Sequence, residues 1–319
     1  MIITVTLNPA LDKTLTIPGF TLDAVNRAAS VRLDAGGKGI NVSKVLKSLG
    51  TDTLAMGFLG GAAGNRIAGA LERMQIQSEF VHIDGETRTN LKVFDPENHT
   101  YTDLNEPGPS VSQTDLERMR EKLCERVSPG DTVLFAGSLP AGVTGRLTAA
   151  WAAELKERGA HIAVDQDGEA LREMIGAGPF FIKPNERELC ELMDLSDAKM
   201  ATLCGAARTL VQRGIRHVAV SLGKKGALFA DSTGVLLAVG PSVEAVSTVG
   251  AGDALTAAYL SALEREMERE NAARFAVASA TAKVVCPGSS PPSREAVEAF
   301  IPEIEIQTIN DRESTEEET

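Results

Sequence analysis

Short runs of β-branched and apolar residues alternate along this chain with stretches whose apolar positions recur every three to four residues. Ile2 to Leu7, Thr53 to Phe58 and Phe80 to Ile83 read as strands, with helices over Gly39 to Leu49 and Asn65 to Met74 between them. The rhythm returns with strands at Thr132 to Ala136, His161 to Asp165, Phe180 to Lys183 and His217 to Leu222, separated by helices such as Leu147 to Arg158 and Ala198 to Arg213. A hairpin follows over Ala227 to Val239. Such alternation predicts βαβ units, and therefore an α/β fold whose parallel sheet is covered by helices on both faces and takes ligands beyond its carboxyl-end edge.

Two stretches break the rhythm. Residues 12–34 and 86–105 hold short strand-like pieces (Lys13 to Ile17, Ala28 to Leu33, Asn90 to Phe94, Thr100 to Leu104), turns at Pro18-Gly19 and Pro96-Glu97-Asn98, and no helix. They predict a small antiparallel sheet standing off the main one, as a lid over substrate or a contact with a second subunit; two hairpins decorating the core would give the same pattern. Toward the end, helices are expected over Gly252 to Met267, Asn271 to Val285 and from about Ser293. A single domain over residues 1–302 is expected, followed by a disordered acidic tail, 303–319, ending in DRESTEEET.

Composition adds exclusions. The chain has 319 residues and a formal charge of −12, but residues 303–319 contain seven acids and one arginine, about half of the excess. The body is only mildly acidic, without the basic face of a nucleic-acid or membrane binder, so neither is an expected partner, and an anionic substrate must be held by a few local cations. Cys124, Cys190, Cys204 and Cys286 are widely spaced and read as reduced core thiols. The start, MIITVTLNPALDKT, lacks the pattern of a signal peptide, and no run approaches the ~20 apolar residues of a membrane span, so the expected location is the cytoplasm.

The chemistry concentrates at strand-to-helix turns. Ser247-Thr248-Val249-Gly250-Ala251-Gly252-Asp253 is expected to end a strand and open a helix, setting a carboxylate against a glycine-rich helix N-terminus. Exposed N–H groups and the helix dipole there favour a phosphate, with Asp253 as a base beside it; read alone, the aspartate also fits a plain helix cap. Asp34-Ala35-Gly36-Gly37-Lys38-Gly39-Ile40-Asn41 sets glycines around a lysine before a second helix. It is not a Walker motif, and fits either a tight turn or a loop in which Lys38 meets a phosphate while Asn41 and the glycine amides hold hydroxyls. Arg88, in Gly85-Glu86-Thr87-Arg88-Thr89-Asn90, can fork onto a phosphate if the lid brings it to the same pocket; otherwise it is a solvated charge. Ala136-Gly137-Ser138-Leu139-Pro140 and Lys183-Pro184-Asn185-Glu186-Arg187-Glu188 lie at carboxyl ends of expected strands. In the latter, Asn185 and Glu188 form a capping box, and Glu188 is also a candidate for Mg²⁺, which keeps much of its water and uses few carboxylates. Ser221-Leu222-Gly223-Lys224-Lys225-Gly226 is placed to rim a nucleotide.

Taken together, GGKGINV, GETRTN, AGSLPAG, KPNERE, SLGKKG and STVGAGD, in this order, resemble the ribokinase-like sugar kinases of the phosphofructokinase B family. TVTLNPALD, GKGINVSKVLKSLG, TRTNLKV and VSTVGAGD are similar to its bacterial 1-phosphofructokinase branch. The resemblance implies a three-layer α/β/α sandwich with a β-sheet lid, and transfer from MgATP to the 6-hydroxyl of fructose 1-phosphate. It implies Asp253 as catalytic base and residues 248–252, including Thr248, Gly250, Ala251 and Gly252, as the anion hole. Lys183, Asn185, Ser221, Gly223, Lys224 and Gly226 match the family's ATP side, and Glu188 its Mg²⁺ motif. Asp12, Gly36, Gly37, Lys38, Asn41, Arg88, Asn90 and Ser138 match the sugar-phosphate side, with Arg27 as an addition, and the lid would be the contact of a homodimer. Ser247 stands where many relatives carry Asp or Asn, and the family's polar contact to adenine has no evident match near Ala276 to Ser279.

Three other readings compete. A tagatose-6-phosphate kinase shares nearly every motif, since anchoring cations report a phosphate but not its carbon. A dinucleotide-dependent oxidoreductase would need a third glycine after Gly250-Ala251-Gly252 and a place in the first βαβ unit. A non-catalytic sugar-phosphate sensor is disfavoured by the intact Asp253.

Overall fold

The computed structural model describes residues 1–309. Its strands are β1 (Ile2–Thr6), β2 (Ala10–Thr16), β3 (Ser30–Gly36), β4 (Thr53–Leu59), β5 (Gln77–His82), β6 (Thr89–Asp95), β7 (Thr100–Leu104), β8 (Thr132–Ala136), β9 (His161–Asp165), β10 (Phe181–Ile182), β11 (His217–Ser221), β12 (Ala227–Asp231), β13 (Gly234–Val239) and β14 (Glu305–Ile309). The helices are α1 (Lys38–Ser48), α2 (Gly61–Arg73), α3 (Gln113–Arg126), α4 (Gly145–Glu157), α5 (Gly168–Gly176), α6 (Glu186–Met193), α7 (Met200–Gln212), α8 (Ala251–Glu264), α9 (Arg269–Val284) and α10 (Arg294–Phe300).

Ten strands form the main sheet in the order β14-β13-β12-β11-β10-β9-β8-β1-β4-β5. From β11 to β5 all neighbours are parallel, and the three strands at the other edge are antiparallel. The period-two alternation sorts side chains onto two cores. Ile3, Val5, Met56 and Phe58 meet α3, α4 and α7 through Leu123, Trp151 and Leu210. On the other face Ile2, Leu134 and Phe181 meet α1, α8 and α9. Helix α8 is buried from Asp253 through Ala262, which explains its nearly uninterrupted Ala/Leu composition. The three-layer α/β/α sandwich expected from the alternation is therefore present.

The lid is a four-stranded sheet, β3-β2-β6-β7. It differs from the all-antiparallel expectation because β2 and β6 pair in parallel, Asp12 opposite Asn90. Strands β1 and β5 point the same way in the main sheet, so the segments leaving their ends enter the lid side by side in one direction. Three further differences follow from context. No strand precedes Gly250; residues 240–248 cross as irregular chain, tied down where Val246 and Ser247 N–H groups both bond the Val284 carbonyl at 2.8 and 3.0 Å. Residues 305–309 are not tail but the edge strand β14, which seats Ile306 against the core; the DRESTEEET stretch lies outside the described residues. Among the thiols only Cys204 is buried, and the other three are half-exposed.

Candidate active site

Two helix N-termini converge beyond the carboxyl edge of the sheet. Helix α1 begins after Gly37 (φ 115°) and α8 after Gly250 (φ 80°), and neither start is capped by a side chain. Glycine is needed at both: a Cβ at Gly37 would lie 2.8 Å from Thr6 Cγ2, and Gly250 occupies the left-handed region. At the start of α8 the Ala251 N–H turns back to Thr248 at 3.3 Å, whereas the N–H groups of Gly252 and Asp253 find no partner among the described residues. Uncapped donors at the positive end of a buried helix form an anion site.

Asp253 is not the cap of its own helix. Its Oδ2 accepts from Asn41 Nδ2, from α1, at 2.8 Å, and only 8% of the residue is exposed. Burial, reinforced by the nearby Asp165 charge and opposed by Lys38, Asn41 and Lys183, pushes its carboxyl up to about 6. A carboxylate so poised accepts a proton near neutral pH.

Asp165, at the end of β9, was not singled out from the sequence, yet it organises the cations. Its Oδ1 pairs with Lys38 at 2.9 Å and with Lys183 at 3.4 Å, and its Oδ2 accepts from Thr256 at 3.0 Å. Full burial works against its charge, but the two ammoniums outweigh burial and hold its carboxyl below the usual range. Burial likewise opposes the charge on Lys38, and Asp165 and Glu188 prevail, raising it above an ordinary lysine. Lys183 Nζ lies 3.6 Å from where a Gly252 Cβ would stand, so its ammonium borders the α8 anion site. The signal for Asp165 was an aspartate ending a buried strand, which in isolation looks like any strand terminus.

A second group lies on the lid side. Arg88 donates to the Asn8 carbonyl at 2.9 Å, the Glu106 carbonyl at 3.0 Å and Ser138 Oγ at 3.2 Å. Its Nε is buried with no partner, as is Asn8 Oδ1. Such orphaned groups at the edge of a cleft suit a polar ligand. Asp12 accepts from Asn90 at 3.2 Å and faces Lys92 at 3.9 Å, and Gly36 is glycine because a Cβ would lie 2.6 Å from Asp12 Oδ2. Lys38 is thus paired with Asp165, while Arg88 is bonded to Ser138 on the lid side. Arg27 stays exposed on the β2–β3 connection.

The nucleotide-side candidates form a neighbouring rim. A bridge pairs Asn185 with Ser221, and the Ser221 N–H bonds the Pro184 carbonyl at 3.1 Å, aligning the two loops. Gly223 and Lys224 lie exposed in a 3-10 turn, and Gly226 (φ 92°) closes it, with no room for a Cβ beside the Ala238 carbonyl. The Asn185/Glu188 capping box is complete, the Asn185 N–H reaching Glu188 Oε2 at 2.9 Å and the Glu188 N–H reaching Asn185 Oδ1 at 2.8 Å. Among the described residues no helix is long and apolar enough to cross a membrane.

The comparisons with known proteins agree with this fold. The model of the pfkB family of carbohydrate kinases matches residues 5–296. The 1-phosphofructokinase of Rhodobacter capsulatus is 36% identical over 309 residues, 97% of this chain and 98% of that protein. Phosphofructokinase-2 from Escherichia coli, solved with substrates and products, superposes with a TM-score of 0.91 at 29% identity, covering 94% of this chain and 98% of that one. Ribokinase from Thermotoga maritima, at 23% identity, shares the fold with a TM-score of 0.77 over 95% of this chain and 99% of that chain. With the family model spanning nearly the whole of the sheet and both helix layers, this chain belongs to the pfkB family of carbohydrate kinases.

Proposed function

We propose that the chain is an ATP-dependent 1-phosphofructokinase, converting D-fructose 1-phosphate and ATP to fructose 1,6-bisphosphate and ADP. The observation that carries this reading is the pairing of a buried, proton-accepting Asp253 with the unpartnered amides of α8, opposite an arginine anchor on the lid. The named activity of the relative at 36% identity supports the same choice of substrate.

Arg88 and Ser138 bind the phosphate already on the sugar, which leaves its far hydroxyl at Asp253. Asn41 fixes the carboxylate so that the unshared oxygen faces that hydroxyl and takes its proton as the new O–P bond forms. The N–H groups of Gly252 and Asp253, with Thr248, Gly250 and Ala251 shaping the turn, hold the oxygens of the moving phosphoryl group. Preorganised donors of this kind are worth about 3 to 4 kcal/mol each where measured. Lys38 and Lys183 add charge neutralisation, held by the buried Asp165 where positive charge is needed. Asn185, Ser221, Gly223, Lys224 and Gly226 hold the nucleotide.

Glu188 fits Mg²⁺, being a half-free carboxylate whose other oxygen is fixed by the cap. Mg²⁺ would supply charge neutralisation on the polyphosphate. The exposed Val31, Leu33 and Leu104 share one face of the lid sheet, with exposed Leu22 and Val25 on its β2–β3 connection, which supports the lid as the surface for a second subunit.

Initial rates on fructose 1-phosphate, fructose 6-phosphate and tagatose 6-phosphate, read as ADP release, test the assignment. Fructose 1-phosphate is expected to give the highest kcat/KM. A preference for tagatose 6-phosphate would make the chain a tagatose-6-phosphate kinase, and no ADP release with any sugar phosphate would remove the kinase reading.

A further inference from the structure

Helix α1 carries one buried charged side chain that none of these steps uses. Lys44 is 4% exposed, three residues beyond Asn41 and on the same face. Its ammonium donates to the Ala35 carbonyl at the foot of lid strand β3, lies 3.3 Å from Ser289 Oγ in the loop before α10, and 3.4 Å from Asn41 Oδ1. A buried lysine is expensive to keep charged, and burial lowers its proton affinity to about 8 despite Asp34, Asp12 and Asp253 around it; Lys283, from α9, pushes the same way as burial. The fold tolerates this at a spot where methionine would fill the space.

The Asn41 amide shows what the charge accomplishes. Its NH₂ faces the Asp253 carboxylate and its oxygen faces the Lys44 ammonium. Turned over, the amide would set oxygen against carboxylate and NH₂ against ammonium, two repulsions in place of two attractions. An amide between an anion and a cation therefore has one stable orientation.

We propose that Lys44 is a positioning residue for catalysis: held between the lid's Ala35 carbonyl and Ser289, it locks the Asn41 amide onto Asp253 and so couples lid placement to the base. The proposal rests on Asp253 acting as that base. Of the groups facing Lys44, Asp34 and Asp12 come from β3 and β2, Asp253 from α8 and Lys283 from α9. Removing the ammonium takes a favourable partner from ionised Asp253, which must then titrate at higher pH.

The test compares Lys44→Met, Lys44→Arg, Asn41→Leu and the Lys44→Met/Asn41→Leu double variant on the full chain, with folding checked by circular dichroism and melting. Lys44→Met is expected to lower kcat about tenfold, to leave the KM for ATP within about twofold, and to move the acid limb of the kcat profile upward; Lys44→Arg recovers part of the rate. In the Asn41→Leu background the same change is expected to cost less than about twofold further, because the relay is already broken. An unmoved acid limb in Lys44→Met, or losses that multiply in full, would overturn the proposal. If Lys44→Met does not fold, Lys44→Gln, which keeps a donor for Ala35 but no charge, decides by the same limb; failure of both to fold makes Lys44 a structural staple and ends the proposal. Asp253→Asn separates the two readings: if it keeps its turnover the base assignment falls, whereas an inactive Asp253→Asn beside an unaltered Lys44→Met sinks only the relay.

Discussion

Asn41, in the first turn of α1, donates its side-chain amide to Oδ2 of Asp253, in the first turn of α8, at 2.8 Å across 212 residues of sequence. The contact ties together the two uncapped helix starts that face the cleft. It also holds one carboxylate oxygen, so that the other is free for a substrate hydroxyl.

The pH profile follows from this environment. Because burial, then Asp165, lifts the Asp253 carboxyl to about 6, kcat is expected to rise with pH through that region as the base ionises, and to level off above it. Asp253→Asn should lower kcat roughly 100- to 10,000-fold while sugar-phosphate binding, measured by calorimetry, persists. A variant with near-normal turnover, or a wild-type profile flat between pH 5 and 7, would exclude Asp253 as the base.

The same burial sets a stability effect of opposite sign. The folded-state affinity of Asp253 for its proton is raised above the unfolded value of 3.8, so the native state holds a proton that the unfolded chain has lost between about pH 4 and 6. Its contribution to stability is present below pH 4 and is lost as pH rises through 6. At pH 7 Asp253→Asn, which keeps an acceptor for Asn41, is therefore expected to stabilise the fold, on the order of 2 to 3 kcal/mol, read as a higher melting temperature. At pH 4 the gain should vanish; a gain equal at both pH values would show that charge burial is not its cause.

Most of the framework was legible because it follows from local rules. Strands β8 and β9 were bounded to the residue by β-branched runs between turn signals, and the capping box at Asn185 and Glu188 formed as its spacing dictated. Asp165 was missed because its significance lies in two lysines from distant segments, Lys38 at the start of α1 and Lys183 after β10, which no local pattern brings together. The pairing of Lys38 with Asp165 is hidden for the same reason: the motif announces a glycine-rich loop but not which way the side chain turns. Strand β14 reads as tail because its two half-buried apolar residues, Ile306 and Ile309, fall on opposite faces of a short edge strand and give no period-two signal among acids.

Arg88 should act on binding more than on chemistry. Its two Nη atoms are fixed by the Asn8 and Glu106 carbonyls and Ser138, which leaves the planar group oriented toward the cleft with Nε unused. Arg88→Lys keeps the charge but loses the fork, so the KM for the sugar phosphate is expected to rise about tenfold or more, with the KM for ATP unchanged. Equal rises for both substrates would place Arg88 outside the sugar-phosphate site.

Gly250→Ala tests the turn that presents the anion-binding amides. The residue sits at φ 80°, and an added Cβ would approach Lys283 Cε to 3.3 Å. Strain of about 1 to 2 kcal/mol is expected, relieved by rotating the turn and misaiming the Gly252 and Asp253 donors. Accordingly kcat should fall by more than the loss of melting temperature would suggest, and a variant that is destabilised but fully active at low temperature would show that the turn does not contact the transferred group.

Glu188 has two separable tasks, and paired substitutions distinguish them. In the capping box its Oε2 accepts from the Asn185 N–H, a role that Gln can keep, whereas a role with Mg²⁺ needs the negative charge. Glu188→Gln is thus expected to hold its melting temperature but to need roughly tenfold more Mg²⁺ for half-maximal rate. Asn185→Ala removes the acceptor that holds the Glu188 N–H at 2.8 Å and is expected to cost about 1 kcal/mol of stability. Its Mg²⁺ requirement should rise less, because the carboxylate remains. If Glu188→Gln kept the wild-type Mg²⁺ dependence and lost only stability, the residue would be a cap alone, and the metal would have to be held by the nucleotide and water without it.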